Sequence, residues 1–288
     1  MASQLIREGK ISLLYFLIGA GICCVPSISW NKSMQYVWLD SWKYLLGIYT
    51  IVFHTIVSLV YISDNRMYQI ALRSGSLGLC FGLGVLLSIA DTTLVYFGWY
   101  VMVLSFFHWS EYFMTAVTNP RSLSLESFLL DHSREYKLAV VSSWIEYTLE
   151  WLLYPEMKLL RWFCYVGLVM VIGGEILRKC SMYTARSNFN HYIQYIKQDG
   201  HTLVTRGVYS LFRHPAYVGW FYWSIGTQLI LCNPFCLVGF TIVSWRFFQE
   251  RIHEEEIYLL NFFGEEYFNY QKKVGTGLPF INGYRREL

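Results

Sequence analysis

Residues 213–256 read RHPAYVGWFYWSIGTQLILCNPFCLVGFTIVSWRFFQERIHEEE. Two apolar runs flank Asn233-Pro234, and charge bounds them at both ends. Asn-Pro initiates a tight turn, so the second run returns antiparallel to the first. Pro215 suits the first turn of a helix, where no amide donor is needed. The runs extend from about Pro215 to Leu231 and onward from Phe235, close to the length a helix needs to cross a bilayer. Past Phe248 the helical pattern continues with charged residues, so this end should emerge from the membrane. A hairpin of this kind makes the fold helical and lipid-embedded.

The whole chain agrees. Of 288 residues, 55% are hydrophobic and only 15% are charged, and the mean hydropathy is +0.33. Soluble domains carry about 25% charged residues. The net charge of +3 does not suggest a nucleic-acid partner. Seven cysteines are scattered, none as CxxC. They read as small hydrophobes, with neither disulfides nor a metal site expected.

Working outward, six more apolar segments precede the hairpin. They are 11–28, 42–62, 70–89, 93–117, 138–154 and 158–177. The apolar run after Arg7 and Lys10 reads as an uncleaved first span, because so many follow it. Pro26 sits near its end. The third segment carries Gly78 and Gly82 at GxxxG spacing, which lets helix backbones approach closely. It reads as packing within the chain rather than between copies. His54, Glu111, Glu146 and Glu150 are ionisable groups inside spans and should face a protein interior or water. His54 and Glu111 read as structural. Glu146 and Glu150 are one turn apart and share a face. They suit either acid–base chemistry or pairing with a nearby Arg. The expected fold is an all-α integral membrane protein with about eight transmembrane helices. Residues 121–137 form a polar connection, 180–213 form the longest one, and Asn261 onward reads as a polar tail.

With eight spans, both termini share a side with the connections after spans two, four and six. That side collects Arg66, Arg73, Arg178, Lys179, Arg186, Lys197, Arg206 and Arg213, among other cations. The opposite side keeps Lys32, Lys43, Lys158 and Arg161. Excess Lys and Arg mark the cytosolic face. The 180–213 connection and the C-terminal region therefore should meet in the cytosol.

Chemistry-bearing residues crowd this side. Arg251 and Glu255 are i,i+4, as are Arg246 and Glu250, each as an ion pair on a solvated helix or as a ligand site. They begin at the membrane boundary, where an Arg fork suits a carboxylate. A helix N-terminus at Pro215 favours anions. His214 either donates to a ligand or caps the turn. Gln194, His201 and Tyr209 add hydrogen-bonding groups.

Residues 194–280 resemble the C-terminal catalytic region of the isoprenylcysteine carboxyl methyltransferases of animal type. The segments that carry it are Arg213-His214-Pro215-Ala216-Tyr217-Val218-Gly219, Gly226-Thr227-Gln228, Cys232-Asn233-Pro234, Glu254-Glu255-Glu256, Phe263-Gly264-Glu265-Glu266-Tyr267 and Gly275-Thr276-Gly277-Leu278-Pro279-Phe280. The Arg213-to-Gly219 turn alone is shared with phospholipid N-methyltransferases and, more loosely, membrane sterol reductases.

The resemblance implies methyl transfer from S-adenosylmethionine to the C-terminal carboxylate of a prenylated cysteine on CaaX-processed proteins. It implies a donor site at Gln194, His201, Thr202, Leu203, Val204, Tyr209, His214, Pro215, Ala216, Tyr217 and Glu255, and a substrate-carboxylate contact at Arg251. Arg246 is added as a second cation at the same boundary. Residence in the endoplasmic reticulum membrane, with active site and both termini cytosolic, follows by the same implication. So does a division into 1–137, as scaffold or lipid path, and 138–288, as a cytosol-facing catalytic region. An α-carboxyl titrates near ~3.5, so the nucleophile is already anionic and needs no general base. Competing readings are a phospholipid N-methyltransferase, an NADPH-dependent sterol reductase, and a non-catalytic lipid receptor or transporter. The last is disfavoured because no internal repeat is visible.

Overall fold

The computed structural model describes residues 5–28, 32–90, 92–131 and 133–284. Arg285 and Arg286, C-terminal cations that the sequence reading places on the cytosolic side, lie outside them. Among the described residues the secondary structure is entirely helical. The helices are α1 (Arg7–Ala20), α2 (Lys32–Val60), α3 (Asn65–Ile89), α4 (Val95–Thr118), α5 (Arg134–Leu153), α6 (Arg161–Ala185), α7 (Pro215–Ile230), α8 (Pro234–Phe263) and α9 (Glu265–Lys273). Each of the eight expected apolar segments overlaps one of the first eight. The chain divides into two compact units, one of 1–117 with 124–131 and one of 118–123 with 132–288.

Among the described residues, three segments are long and apolar enough by length and composition to cross a membrane: Arg7–Val25, Ser41–Val60 and Asn65–Ile89. All lie in the first unit. Helix α7 has 16 residues, about 24 Å at 1.5 Å per residue, against a hydrocarbon core of ~30 Å.

In the first unit, α1 stops at Ala20 and the chain runs on as a 3-10 helix, Gly21–Ile28. A single α-helical span over 11–28 was expected. Pro26 lacks an amide donor and is incompatible with an α ladder running through it to Ile28. A Cβ on Gly78 would collide with the Phe16 carbonyl, and one on Gly82 would stand 2.6 Å from the Ala20 carbonyl. The Gly78–Gly82 spacing thus packs α3 onto α1 within the chain, a packing contact of the kind read from the sequence. Buried Ser12 and Ser74 share a hydrogen bond of 2.9 Å, and Phe16 stacks on Trp109 at 4.0 Å. Glu111 is fully buried on α4, and His54 is half-buried, edge-on to Phe53.

In the second unit, α6 and α7 cross through two glycine pairs. A Cβ on Gly167 would lie 2.6 Å from the Gly226 carbonyl, and one on Gly219 2.5 Å from that of Gly174. Both pairs are spaced seven residues apart along their helices, which keeps them on one seam.

The carboxylates of α5 hold the hairpin's far end. Glu146 accepts from the amides of Phe235 and Cys236 at 2.8 and 2.7 Å, compensating the N-terminus of α8. Glu150 pairs with Lys158 at 2.5 Å. Lys158 also donates to the Leu231 and Cys232 carbonyls and to Asn233 Oδ1, at 2.9–3.1 Å. A cation there satisfies the open carbonyls that end α7. Lys158 was expected to begin the sixth span and to count as a free cation. It is instead buried in the 3-10 turn Pro155–Leu159, and α6 starts at Arg161 and runs two turns past Leu177. The tail also differs. It holds α9, which begins after Gly264 takes the left-handed conformation, φ +52°.

Candidate active site

The site grows from the N-terminus of α7. Pro215 occupies its first turn, and the strand of chain just before it is zipped to the tail. The Arg213 amide donates to the Gly275 carbonyl at 2.8 Å, and the His214 amide to Thr276 at 3.4 Å. This pairing brings the Arg213-His214-Pro215 turn and the Gly275-Thr276-Gly277 turn, far apart in sequence, into one wall.

Glu256 is the hub of that wall and has no exposed surface. Its Oε1 accepts from Arg213 Nε at 2.8 Å and Tyr267 Oη at 3.0 Å, and lies 3.1 Å from His214 Nε2. Its Oε2 accepts from Gln271 Nε2 at 3.0 Å and the Tyr284 amide at 2.9 Å. Burial pushes this carboxyl's pKa up. The hydrogen bonds and charges of His214 and Arg213 together outweigh that and bring it down to about 2. Arg213 is spent here as well, with further donations to the Val274 and Asn282 carbonyls. Sequence reasoning passed over Glu256 as one of three glutamates. The signal was present: Phe248, Ile252 and Glu256 follow at i, i+4 and i+8, and all three are buried on α8. A carboxylate continuing an apolar stripe must find partners.

Beside this hub lies a cavity of about 880 Å³, counting the part open to solvent. Gln194, His201, Thr202, Leu203, Val204, Tyr209, His214, Pro215, Ala216, Tyr217 and Glu255 all line it. The structure brings every one of these sequence-derived donor-site residues together. Its aromatic walls are Tyr258, Phe262, Phe263, Tyr267 and Tyr270, none of which had been assigned to the donor site, although Phe263 and Tyr267 bound one of the segments that carry the resemblance. The connection from 186 to 214 forms the other wall. Asn188 Oδ1 accepts from the Thr202 amide at 2.9 Å, and Lys197 donates to the Phe262 carbonyl at 2.8 Å. His201 packs against the edges of Phe262 and Phe263. Burial, and then Lys197, lower its pKa, against a smaller pull from Glu255, so the ring is neutral at neutral pH. Tyr209 is held well above the usual phenol range by burial first and Glu255 second, so it remains a donor.

His214 does not cap α7 with its side chain. Its ring stacks on Tyr217 at 5.5 Å, and Nδ1 faces Glu255 Oε2 at 3.5 Å. That Glu255 oxygen is buried and accepts no hydrogen bond. It is an acceptor on the cavity wall waiting for a donor.

Arg251 is not a wall residue of this cavity. It reaches the wall through Tyr217, donating from Nε to Tyr217 Oη at 2.8 Å, and from Nη2 to the His191 carbonyl at 2.6 Å. Of the two readings left open for these i,i+4 residues, the ion pair does not form: among the described residues no ion pair joins Arg251 to Glu255 or Arg246 to Glu250. Arg246 is exposed and points roughly 140° around α8 from Arg251, since each residue turns the helix by about 100°.

Residues 166–261 match the isoprenylcysteine carboxyl methyltransferase family. A Xenopus laevis protein named protein-S-isoprenylcysteine O-methyltransferase is 52% identical over 286 residues, covering 99% of each chain. The Homo sapiens protein of that name is 51% identical over 281 residues, covering 98% of this chain and 96% of its own. This chain belongs to the isoprenylcysteine carboxyl methyltransferase family. The solved structure of the eukaryotic intramembrane Ras methyltransferase of the family superposes with a TM-score of 0.90 at 40% identity. That match covers 97% of this chain and 99% of the other. The all-helical architecture above is therefore the family's membrane fold. The chain is a methyltransferase, and its reaction requires a methyl donor.

Proposed function

We propose that this chain transfers a methyl group from S-adenosylmethionine to the C-terminal α-carboxylate of a prenylated cysteine, forming a methyl ester on CaaX-processed proteins. The observation that carries the site assignment is the single cavity lined by Gln194, the His201–Val204 run, Tyr209, the His214–Tyr217 run and Glu255, joined to Arg251 by one hydrogen bond. S-adenosylmethionine, when bound, supplies an electrophilic methyl group on a sulfonium.

The residues present fit such a donor. It is cationic and carries a ribose and an aromatic base. Glu255 offers it a carboxylate with an unsatisfied buried oxygen, and the tyrosine and phenylalanine walls offer faces for stacking and for cation–π contact. Arg251 holds the substrate carboxylate by its planar fork while sparing one oxygen to react. No residue is needed as a base, because the carboxyl is ionised at neutral pH. The 186–206 connection, latched to α8 at the Phe262 carbonyl, excludes water from a weak nucleophile. Arg246 serves as a second cation at the boundary with lipid.

The remaining placements are part of the same reading. Eight helices cross the endoplasmic reticulum membrane, with both termini and the cavity on the cytosolic side. Residues 1–137 supply scaffold or a lateral path for the prenyl chain, and 138–288 the catalytic region. The prenyl tail gains about 0.8 kcal/mol for each buried carbon group, which favours entry from the lipid.

Transfer of labelled methyl to N-acetyl-S-farnesylcysteine by the purified protein tests the reading. Base-labile label that requires the farnesyl group supports it. Label appearing on phospholipid instead would replace it with the phospholipid methyltransferase reading.

A further inference from the structure

The tail presents an aromatic side chain that the catalytic reading does not use. Phe280 is 92% exposed and sits at φ +62°, a left-handed conformation that a side chain bearing a Cβ disfavours. Its neighbours are fixed. Leu278 and Ile281 are buried, Thr276 Oγ1 donates to the Ile281 carbonyl at 2.5 Å, and the Ile281 amide donates to Leu278. A pinned turn thus holds a phenyl ring outward at a backbone cost.

Its level is set by α8. The Trp245 indole donates to the Pro279 carbonyl at 2.7 Å. Trp245 stands where α8 changes from the apolar run ending at Ser244 to the charged run beginning at Arg246. Trp and Tyr concentrate at such membrane–water boundaries. Ile242 and Val243, just before it, are exposed. Tyr222 of α7, partly exposed, and the exposed Lys272 and Lys273 of α9 line one groove with Pro279 and Phe280.

We propose that the 276–281 turn is an interfacial anchor: Phe280 enters the acyl boundary of the leaflet that carries the catalytic cavity, and Lys272 and Lys273 hold anionic lipid headgroups beside it. The proposal rests on the membrane placement of α8 given above. Charge selects the occupant. Two adjacent lysines attract anionic lipid near a charged surface, whereas a basic polypeptide or the same lysines of a second copy are repelled. Because Thr276 also accepts from the His214 amide, the anchor ties lipid contact to the wall of the cavity.

The test is photocrosslinking of the full chain, with a benzophenone amino acid replacing Phe280, in nanodiscs of phosphatidylcholine with and without phosphatidylserine. A control places the same group at Phe235, which is 79% exposed at the far end of α8. Expected are phospholipid adducts at both positions, with phosphatidylserine enriched over its share only at 280. Lys272→Glu with Lys273→Glu should abolish that enrichment. Adducts to a second copy, or no lipid adduct at 280 while Phe235 gives them, would overturn the anchor. Absence of lipid adducts at both positions would overturn the membrane placement of α8, and the anchor with it. Lipid adducts at 280 without enrichment would overturn the part assigned to the lysines.

Discussion

Nε of Arg251 donates to the phenol oxygen of Tyr217 at 2.8 Å, and Tyr217 stacks its ring on His214 inside the cavity wall. One side chain therefore touches both halves of the proposed chemistry: the cation for the substrate carboxylate and the pocket for the donor. Tyr217→Phe keeps the ring and removes only the hydroxyl, and with it the acceptor for Arg251 Nε. A hydrogen bond from a charged donor contributes about 1.5–3 kcal/mol. The KM for the prenylcysteine should rise about tenfold, with donor affinity nearly unchanged. Steady-state kinetics with calorimetry of donor binding separates the two.

Arg251→Lys keeps the charge but loses the planar fork. It should restore little of the activity lost in Arg251→Ala, because a point charge neither bridges Tyr217 and the His191 carbonyl nor orients a carboxylate. Recovery of most of the wild-type kcat/KM in the Lys variant would remove the geometric role assigned to Arg251.

Glu256 governs acid stability. Its folded pKa is about 2 against an ordinary 4.5. A depressed carboxyl contributes stability that is fully present above its unfolded pKa and is lost as pH falls through the folded value. The folded protein should lose stability between about pH 4.5 and 2. Glu256→Gln should flatten that dependence while lowering stability at neutral pH by ~3–5 kcal/mol, because Arg213 stays buried without its partner. Thermal unfolding in detergent across this range measures both effects.

The α6–α7 seam admits no side chain at its glycines. Gly219→Val places a branched side chain against the Gly174 carbonyl, a contact already closed to a single Cβ. The α7 N-terminus then shifts, and His214 with it. Loss of folded protein, or of donor binding in whatever folds, is expected from size-exclusion yield and calorimetry. Gly173→Val, on the open side of α6 with no atom within reach of a Cβ, should be nearly neutral.

What was legible in the sequence divides along physical lines. Apolar run length located the helices, since a segment of this composition is helical whether lipid or protein covers it. The ends were less legible, because they depend on tertiary partners. Lys158 looked like a free cation at a span's edge and is instead the buried terminus for the α7 carbonyls. Glu146 and Glu150 were readable as a shared face but not as separate devices, one for the α8 amides and one for Lys158. The donor-site residues came from resemblance and not from spacing, and the structure gathers them on one cavity wall. Glu256 was missed, though its helical register with Phe248 and Ile252 marked it as buried. Arg251 with Glu255 was legible as an i,i+4 pair, yet Arg251 turns to Tyr217 of the neighbouring helix α7 and to the His191 carbonyl, which approaches only when the 186–206 connection folds over α8.

The most direct measurement compares wild-type protein and Arg251→Ala, purified in detergent, for S-adenosylmethionine binding by calorimetry and for methyl transfer to N-acetyl-S-farnesylcysteine. Both should bind the donor alike, and only the wild type should form the base-labile ester. An Arg251→Ala protein that methylates at near wild-type rate, or a wild type that binds no donor, would contradict this expectation.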